Sequence, residues 1–165
     1  MTLEHALRES GADMALLEPA YETFYAARNQ VEYYPDALAA LERIAARLPV
    51  AAVTNGNADL QRIGLGHLFV HQIHSREHGA AKPEASIFHA ACDLLGVAPG
   101  DVLHVGDHIE MDVVGAMRAG LRGCWINRPE DHDGHPRAWP PAEVELWQLS
   151  ASSSGSRSAC AAASC

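Results

Sequence analysis

The sequence has little positive charge and no long apolar stretch, and both absences narrow what the protein can do. Lysine and arginine number 12 against 21 aspartate and glutamate residues, which gives a formal net charge of −9. Because no basic stripe is present, the chain is not expected to bind the phosphate backbone of a nucleic acid. No apolar run approaches the roughly 20 residues that span a bilayer, and residues 1–5 lack the start of a signal peptide. We therefore expect a cytoplasmic protein that contacts neither nucleic acid nor membrane.

Cysteine is also scarce, and its spacing fits the same compartment. The four cysteines form neither a C-x-x-C pair nor the framework of a secreted disulfide protein. Cys92 and Cys124 lie in apolar helix and strand contexts and are predicted to be small core residues. Residues 150–165, which contain the other two, are mostly serine, alanine and glycine. This segment has too little apolar bulk to order itself and is predicted to be a disordered tail.

The remaining residues show the rhythm of an α/β protein. A content of 48% hydrophobic and 20% charged residues over 165 positions is typical of one globular domain. Helical spacing at 4–10 and 14–29 predicts an N-terminal helical pair. Short apolar runs then predict strands at 50–53, 70–74, 102–105 and 123–126, and amphipathic spacing predicts helices at 37–48, 58–63, 83–95 and 111–119. This alternation predicts a three-layer Rossmann-like fold, a parallel sheet with helices on both faces.

The most informative stretch is the apolar run at 102–105. Gly106-Asp107 follows it directly, and Asp112 comes five residues after Asp107. Carboxylates after a buried strand lie where open α/β sheets hold their ligands, and a pair of them suits a hard cation such as Mg²⁺. On spacing alone, a solvated turn with a helix-capping aspartate is an equal alternative. The loops after the neighbouring strands are expected at the same edge of the sheet, because right-handed crossovers place them there.

Three segments, in this order, resemble signature motifs of the haloacid dehalogenase-like hydrolases. They are Val53-Thr54-Asn55-Gly56, then Gly79 to Pro83 with Ile87-Phe88, then Val105-Gly106-Asp107 with Asp112 and Gly115-Ala116. The resemblance covers residues 33–129 and is to members with a small helical cap. It implies a partial helical cap at 1–32, an α/β core at 33–149 that lacks the family's first strand, and the tail at 150–165.

The resemblance implies a phosphoric monoester hydrolase that passes a phosphoryl group from a small phosphorylated metabolite to an aspartate and then to water, with Mg²⁺ as cofactor. Thr54 would donate its hydroxyl to a phosphoryl oxygen, and the Asn55 and Gly56 backbone would cradle the same group. Lys82 would supply positive charge to the phosphate and the nucleophile. Asp107 would be the principal Mg²⁺ ligand, and Asp112 would support the metal site and orient Lys82.

The family's first motif, an apolar strand ending in Asp-x-Asp, does not precede Thr54 in this sequence. The first aspartate of that motif attacks phosphorus. The one Asp-x-Asp here, Asp131-His132-Asp133, follows a loop and is not expected to replace it. A metal site at His132 and His135 is a second interpretation of that loop, and a solvated loop is the expected one.

The missing strand matters for folding, because in the family it lies between the strands that end at Val53 and Val105. Each buried backbone group left unpaired there would cost about 1 to 3 kcal/mol. We predict that the chain alone is marginal, aggregation-prone, or completed by a second polypeptide, as in a homodimer.

Two functions of different class follow. One is a Mg²⁺-dependent phosphatase that is truncated and impaired as this chain alone. The other is a non-catalytic remnant of the same fold that binds phosphate or a partner protein. Dehalogenase chemistry is disfavoured, because the family's dehalogenases need no Mg²⁺ and both Asp107 and Asp112 are kept.

Overall fold

A five-stranded parallel sheet forms the centre of the protein. The computed structural model describes residues 3–128 and the backbone of residues 159–163. The strands are β1 (Val50–Thr54), β2 (His71–His74), β3 (Val102–Gly106), β4 (Arg122–Trp125) and β5 (Ala159–Ala163). Their order is β2-β1-β5-β3-β4, and every neighbouring pair is parallel. The predicted Rossmann-like α/β class is confirmed.

Helices cover both faces of this sheet. They are α1 (Leu3–Ser10), α2 (Leu17–Arg28), α3 (Ala37–Ala45), α4 (Ser75–His78), α5 (Ala85–Leu95) and α6 (Gly115–Arg118), and a π-helical turn at Ile109–Val114 precedes α6. Short 3₁₀ turns occur at Met14–Leu16, Gly66–Leu68 and Pro99–Asp101. Within the described ranges, no helix combines the length and apolar character that crossing a bilayer requires.

The core lies between the sheet and helix α5. All five residues of β1 are buried, as expected for a continuous apolar run in a parallel strand covered on both faces. Helix α5 begins shortly after Pro83 and ends at Gly96, whose φ of +68° is the left-handed conformation that terminates helices. Its buried face contributes Ile87, Phe88, Ala91 and Cys92. Strand β1 and helix α5, which frame the predicted site, therefore contribute much of the buried core among the described residues.

Strand β5 occupies the centre of the sheet. Val53 of β1 is in register with Ala163, and Val105 of β3 is in register with Ala162. The prediction of disorder is wrong for residues 159–163. Backbone pairing on two sides orders a segment whose composition alone would leave it unfolded. The slot that the sequence left unfilled between β1 and β3 is thus taken by a later segment of the same chain. The other residues of the predicted tail, and the loop at 131–135, lie outside the described residues.

Two local predictions are wrong. Residues 58–63 do not form a helix. Residues 58 and 59 are irregular and 60–64 form turns, in which the Asp59 side chain accepts a hydrogen bond from the Gln61 N–H and Gly64 has a φ of +84°. Cys124 is exposed, because it lies on β4, an edge strand whose residues are at most partly buried. Cys92 is buried as predicted.

The N-terminal helical pair forms as α1 and α2, with the 3₁₀ turn at Met14–Leu16 between them. Neither helix contains a buried residue. The assignment of residues 1–32 to part of a cap stays a prediction.

Candidate functional site

The predicted site residues lie at the carboxyl edge of the sheet: Thr54 at a strand end, Lys82 and Asp107 in loops, and Asp112 in the π-helical turn at Ile109–Val114. Thr54 is the last residue of β1 and is fully buried. Its Oγ1 accepts a hydrogen bond of 2.9 Å from the Gly56 N–H. The hydroxyl proton is left to donate elsewhere, because a hydroxyl is both donor and acceptor. The Gly56 N–H, predicted to cradle phosphate, donates to the Thr54 side chain in this structure.

The Asn55 side chain clamps the backbone of Lys82. Its Oδ1 accepts from the Lys82 N–H at 2.9 Å, and its Nδ2 donates to the Lys82 carbonyl at 3.0 Å. One amide thereby joins the loop after β1 to the loop before α5. This contact of the Asn55 side chain was not predicted, since nothing in a Thr-Asn-Gly turn shows where the side chain points.

Lys82 and Asp112 form a buried ion pair. The Lys82 Nζ donates to Asp112 Oδ1 at 2.7 Å, and the two residues are 7% and 2% exposed. His104 Nε2 lies 3.2 Å from the same Oδ1, and the His108 N–H donates to Oδ2 at 3.0 Å. Asp112 is therefore held by three groups at once.

These contacts decide the ionisation of the pair. Burial on its own would raise the pKa of Asp112. Hydrogen bonds from His104 and Lys82, the Lys82 charge and the His108 N–H outweigh burial and lower the pKa from 3.8 to about 2. Burial lowers the pKa of His104, against the opposing effect of the Asp112 hydrogen bond. At neutral pH the carboxylate is ionised and the imidazole is neutral.

Two glycines make the buried pair sterically possible. A Cβ on Gly106 would lie 2.4 Å from Asp112 Cγ, so any side chain at the end of β3 would displace the carboxylate. A Cβ on Gly115 would lie 2.7 Å from Pro83 Cβ, so a larger residue would push α6 away from the loop that carries Lys82. Both glycines belong to the motifs quoted above, and their role here is close approach.

Asp107 has a different environment from Asp112, although only five positions separate them. It is exposed, and its main-chain carbonyl accepts from Trp125 Nε1 at 2.9 Å. Among the described residues, no group of three His, Cys, Asp or Glu side chains is placed to hold a metal. Mg²⁺ commonly binds proteins through one or two carboxylates, with water and phosphate oxygens as its other ligands. Asp107 fits that role as a single carboxylate, whereas both Asp112 oxygens already accept hydrogen bonds.

Arg118 and Arg128 each form an ion pair with a carboxylate. Arg118 pairs with Glu110 at 2.8 Å. Arg128 pairs with Asp36 at 2.8 Å and lies over the Tyr34 ring, 4.2 Å from its centroid. These contacts favour a structural role for both.

An open cavity of about 440 Å³ adjoins the loop after β1. Its walls include Tyr21 and Tyr25 of α2, whose rings stack with centroids 6.0 Å apart, and Gly56, His74 and Arg76 on the sheet side. The cavity thus lies between α2 and the loop that follows Thr54.

The chain matches known proteins along most of its described length. A model of the haloacid dehalogenase-like hydrolases matches residues 2–120. Over 93 residues the chain is 42% identical to the 5-amino-6-(5-phospho-D-ribitylamino)uracil phosphatase YigB of Escherichia coli, with 56% of this chain and 39% of the relative covered. It is 38% identical over 140 residues to a phosphoserine phosphatase of Thermus thermophilus, with 79% and 56% covered. The chain therefore spans about half the length of these relatives.

The fold is also similar to that of a solved structure. A crystal structure of a 2-haloacid dehalogenase from Pseudomonas syringae superposes with a TM-score of 0.76 at 32% identity, covering 86% of this chain and 61% of that one. The predicted resemblance to the family is confirmed.

Proposed function

Because the chain belongs to the haloacid dehalogenase-like hydrolase family, we propose that a cluster at the carboxyl edge of the sheet binds the phosphoryl group of a small phosphorylated metabolite. This edge cluster consists of Thr54, Asn55, Lys82 and Asp112. The observation that carries this proposal is the buried Lys82 ammonium. It is paired to Asp112 at 2.7 Å and its backbone is clamped by Asn55. A buried ammonium is costly to desolvate, so one held this firmly beside a strand end is suited to meeting an anion.

Each member of the cluster has a distinct part. The Thr54 hydroxyl donates to a phosphoryl oxygen, in an orientation fixed by the Gly56 N–H. The Lys82 ammonium has two further protons beyond the one given to Asp112, and these reach the phosphoryl oxygens. Positioned donors of this kind stabilise the charge that spreads over the equatorial oxygens in phosphoryl transfer. Asp112 acts through Lys82 and not as a direct metal ligand, because its oxygens are already engaged.

Asp107 is the residue that would hold Mg²⁺. The bound ion would neutralise phosphate charge at the exposed end of the site. The exposed carboxylate after β3 supports this assignment, and the family resemblance is its other support.

Hydrolysis by this chain is proposed to be impaired. Transfer to an aspartate needs a carboxylate free to attack phosphorus. Of the two site carboxylates in the described part of the chain, Asp112 is buried and triply hydrogen-bonded, and Asp107 is assigned to the metal. The same observation favours the second candidate function, a module that binds phosphate without turnover.

The cavity between α2 and the loop after β1 is the proposed place for the remainder of the substrate. Its lining is rich in polar groups, including Asn57, Gln72, His74 and Arg76, and the Tyr21–Tyr25 stack adds an aromatic wall. A polar leaving group suits it better than an aliphatic one.

An aryl phosphate assay tests the functional proposal. The purified chain is incubated with and without Mg²⁺, beside Asp107→Asn and an Arg118→Met control whose cation lies outside the cluster. We expect turnover at the level of the metal-free blank in all samples. Mg²⁺-dependent turnover that Asp107→Asn abolishes and Arg118→Met keeps would contradict impairment, and would show that another residue acts as nucleophile.

A further inference from the structure

His104 is a fully buried polar residue in the middle of β3, and the functional proposal above gives it no role. Its ring meets Phe88 edge-on, with centroids 5.1 Å apart and planes at 88°. Nε2 lies 3.2 Å from Asp112 Oδ1, while Nδ1 has no hydrogen-bond partner among the described residues. An apolar side chain would fill this position without leaving a buried polar atom unpaired. The histidine therefore needs an explanation beyond packing.

The hydrogen bond fixes which nitrogen carries the proton. An ionised carboxylate can only accept, so the proton of this contact belongs to His104 Nε2. A second proton on Nδ1 would be buried without an acceptor, next to the Phe88 ring. The arrangement selects the neutral tautomer with hydrogen on Nε2. His104 is thus a donor with one target, Asp112.

The target oxygen is the one that holds Lys82. Asp112 Oδ1 accepts from His104 and from the Lys82 ammonium, and Oδ2 accepts from the His108 N–H. Without the imidazole, Oδ1 would keep one donor on a flexible side chain, and the carboxylate could rotate about its own axis. With it, donors from β3, from the loop after β3 and from the loop before α5 fix the carboxylate plane.

We propose that His104 is a positioning residue, which sets the Asp112 carboxylate so that the Lys82 ammonium stays aimed at the carboxyl edge of the sheet. It touches no substrate. Its effect reaches the phosphate only through Asp112 and Lys82.

The test uses two substitutions of equal length. In His104→Gln, the amide nitrogen is as many bonds from Cα as Nε2 is, so a donor can be kept. His104→Met has the same reach and no donor. The first readout is the ¹⁵N signal of the Lys82 ammonium, assigned by its loss in Lys82→Met. A buried, hydrogen-bonded ammonium exchanges its protons slowly enough to be seen. The second readout is the Kd for inorganic phosphate.

We expect wild type and His104→Gln to show the Lys82 signal and His104→Met to lose it. Phosphate Kd should rise about tenfold in the methionine variant and stay within about threefold in the glutamine variant. Phe88→Leu is the packing control. It should lower thermal stability without moving the Lys82 signal. If His104 had only a structural role, His104→Met would behave in the same way as Phe88→Leu.

Two results would overturn the proposal. One is an unchanged Lys82 signal and Kd in His104→Met. The other is an equal loss of both in a folded His104→Gln, since the donor would then be irrelevant. If His104→Met does not fold, His104→Leu replaces it. His104→Gln alone still shows whether a variant that keeps a donor keeps the Lys82 signal. The phosphate readout rests on the proposed function. If wild type binds no phosphate, that function fails while the Lys82 signal still tests His104.

Discussion

Helix α5 and the helical pair α1–α2 contain similar apolar side chains but meet the rest of the protein very differently. Helix α5 buries four residues against the sheet, whereas α1 and α2 bury none. Leu16 before α2 and Phe24 within it remain 52% and 50% exposed. Amphipathic spacing therefore predicted helices in both places and could not predict which would be covered. We expect the sheet and α5 to supply most of the stability and the carboxyl edge of the sheet to hold the edge cluster, with little contribution to either from the helical pair.

The largest effect should come from removing β5. A chain that ends after residue 158 loses the strand that pairs with both β1 and β3. At about 1 to 3 kcal/mol for each buried backbone group left unpaired, we expect a loss of more than about 5 kcal/mol, enough to abolish cooperative unfolding. Thermal unfolding followed by circular dichroism measures it, with a chain that ends after residue 163 as control. An unchanged transition in the shorter chain would show that β1 and β3 close on each other.

The second-largest effect on stability is expected from a single substitution in helix α5. Phe88 is fully buried, contacts His104 and packs beneath the sheet. Replacing it with alanine should lower the free energy of unfolding by about 3 to 5 kcal/mol, because a large buried side chain leaves a cavity. Urea denaturation gives the value. A change below about 1 kcal/mol would mean that α5 is not part of the cooperative core.

The loss of stability at acid pH should be smaller than the effect of Phe88→Ala, and it arises from the buried Asp112. The pKa of Asp112 is about 2 in the folded chain against 3.8 as its ordinary value, so the unfolded chain takes up this proton first as pH falls. The contribution is fully present above about pH 4 and is lost as pH falls toward 2. Its size is roughly 2 kcal/mol. Asp112→Asn should lack this part of the slope between pH 4 and 2. Identical slopes in the two proteins would contradict the buried pair.

The smallest effect is expected in the helical pair. Phe24→Ala should change the free energy of unfolding by less than about 0.5 kcal/mol, because half of this side chain is exposed. The same urea experiment compares it with Phe88→Ala. A loss approaching that of Phe88→Ala would erase the difference between the two regions, and would mean that α2 is covered in solution.

The parts of the sheet and of the edge cluster that depend on local sequence patterns were predictable. Continuous apolar runs identified β1 and β3, and three motifs in order identified Thr54, Lys82, Asp107 and Asp112 as a group. The side-chain geometry was not predictable. A lone histidine in an apolar strand gives no sign that it faces Asp112, and a Thr-Asn-Gly turn does not reveal that Asn55 clamps Lys82.

The place of a strand in the sheet explains two other failures. Residues 159–163, Ala-Cys-Ala-Ala-Ala, have no β-branched side chain, so their strand forms through its two neighbours and not through its own propensity. Cys124 was misplaced because apolar character does not say that β4 ends the sheet. The cytoplasmic location and a second chain as partner stay predictions.

Titration of inorganic phosphate into the purified chain would show whether the edge cluster is an anion site built around a buried lysine. Wild type is compared by calorimetry with Lys82→Met and with Arg118→Met, which removes an equal charge from the surface pair with Glu110. We expect saturable binding that Lys82→Met abolishes and Arg118→Met keeps. Absence of binding in wild type, or an equal loss in both variants, would contradict it.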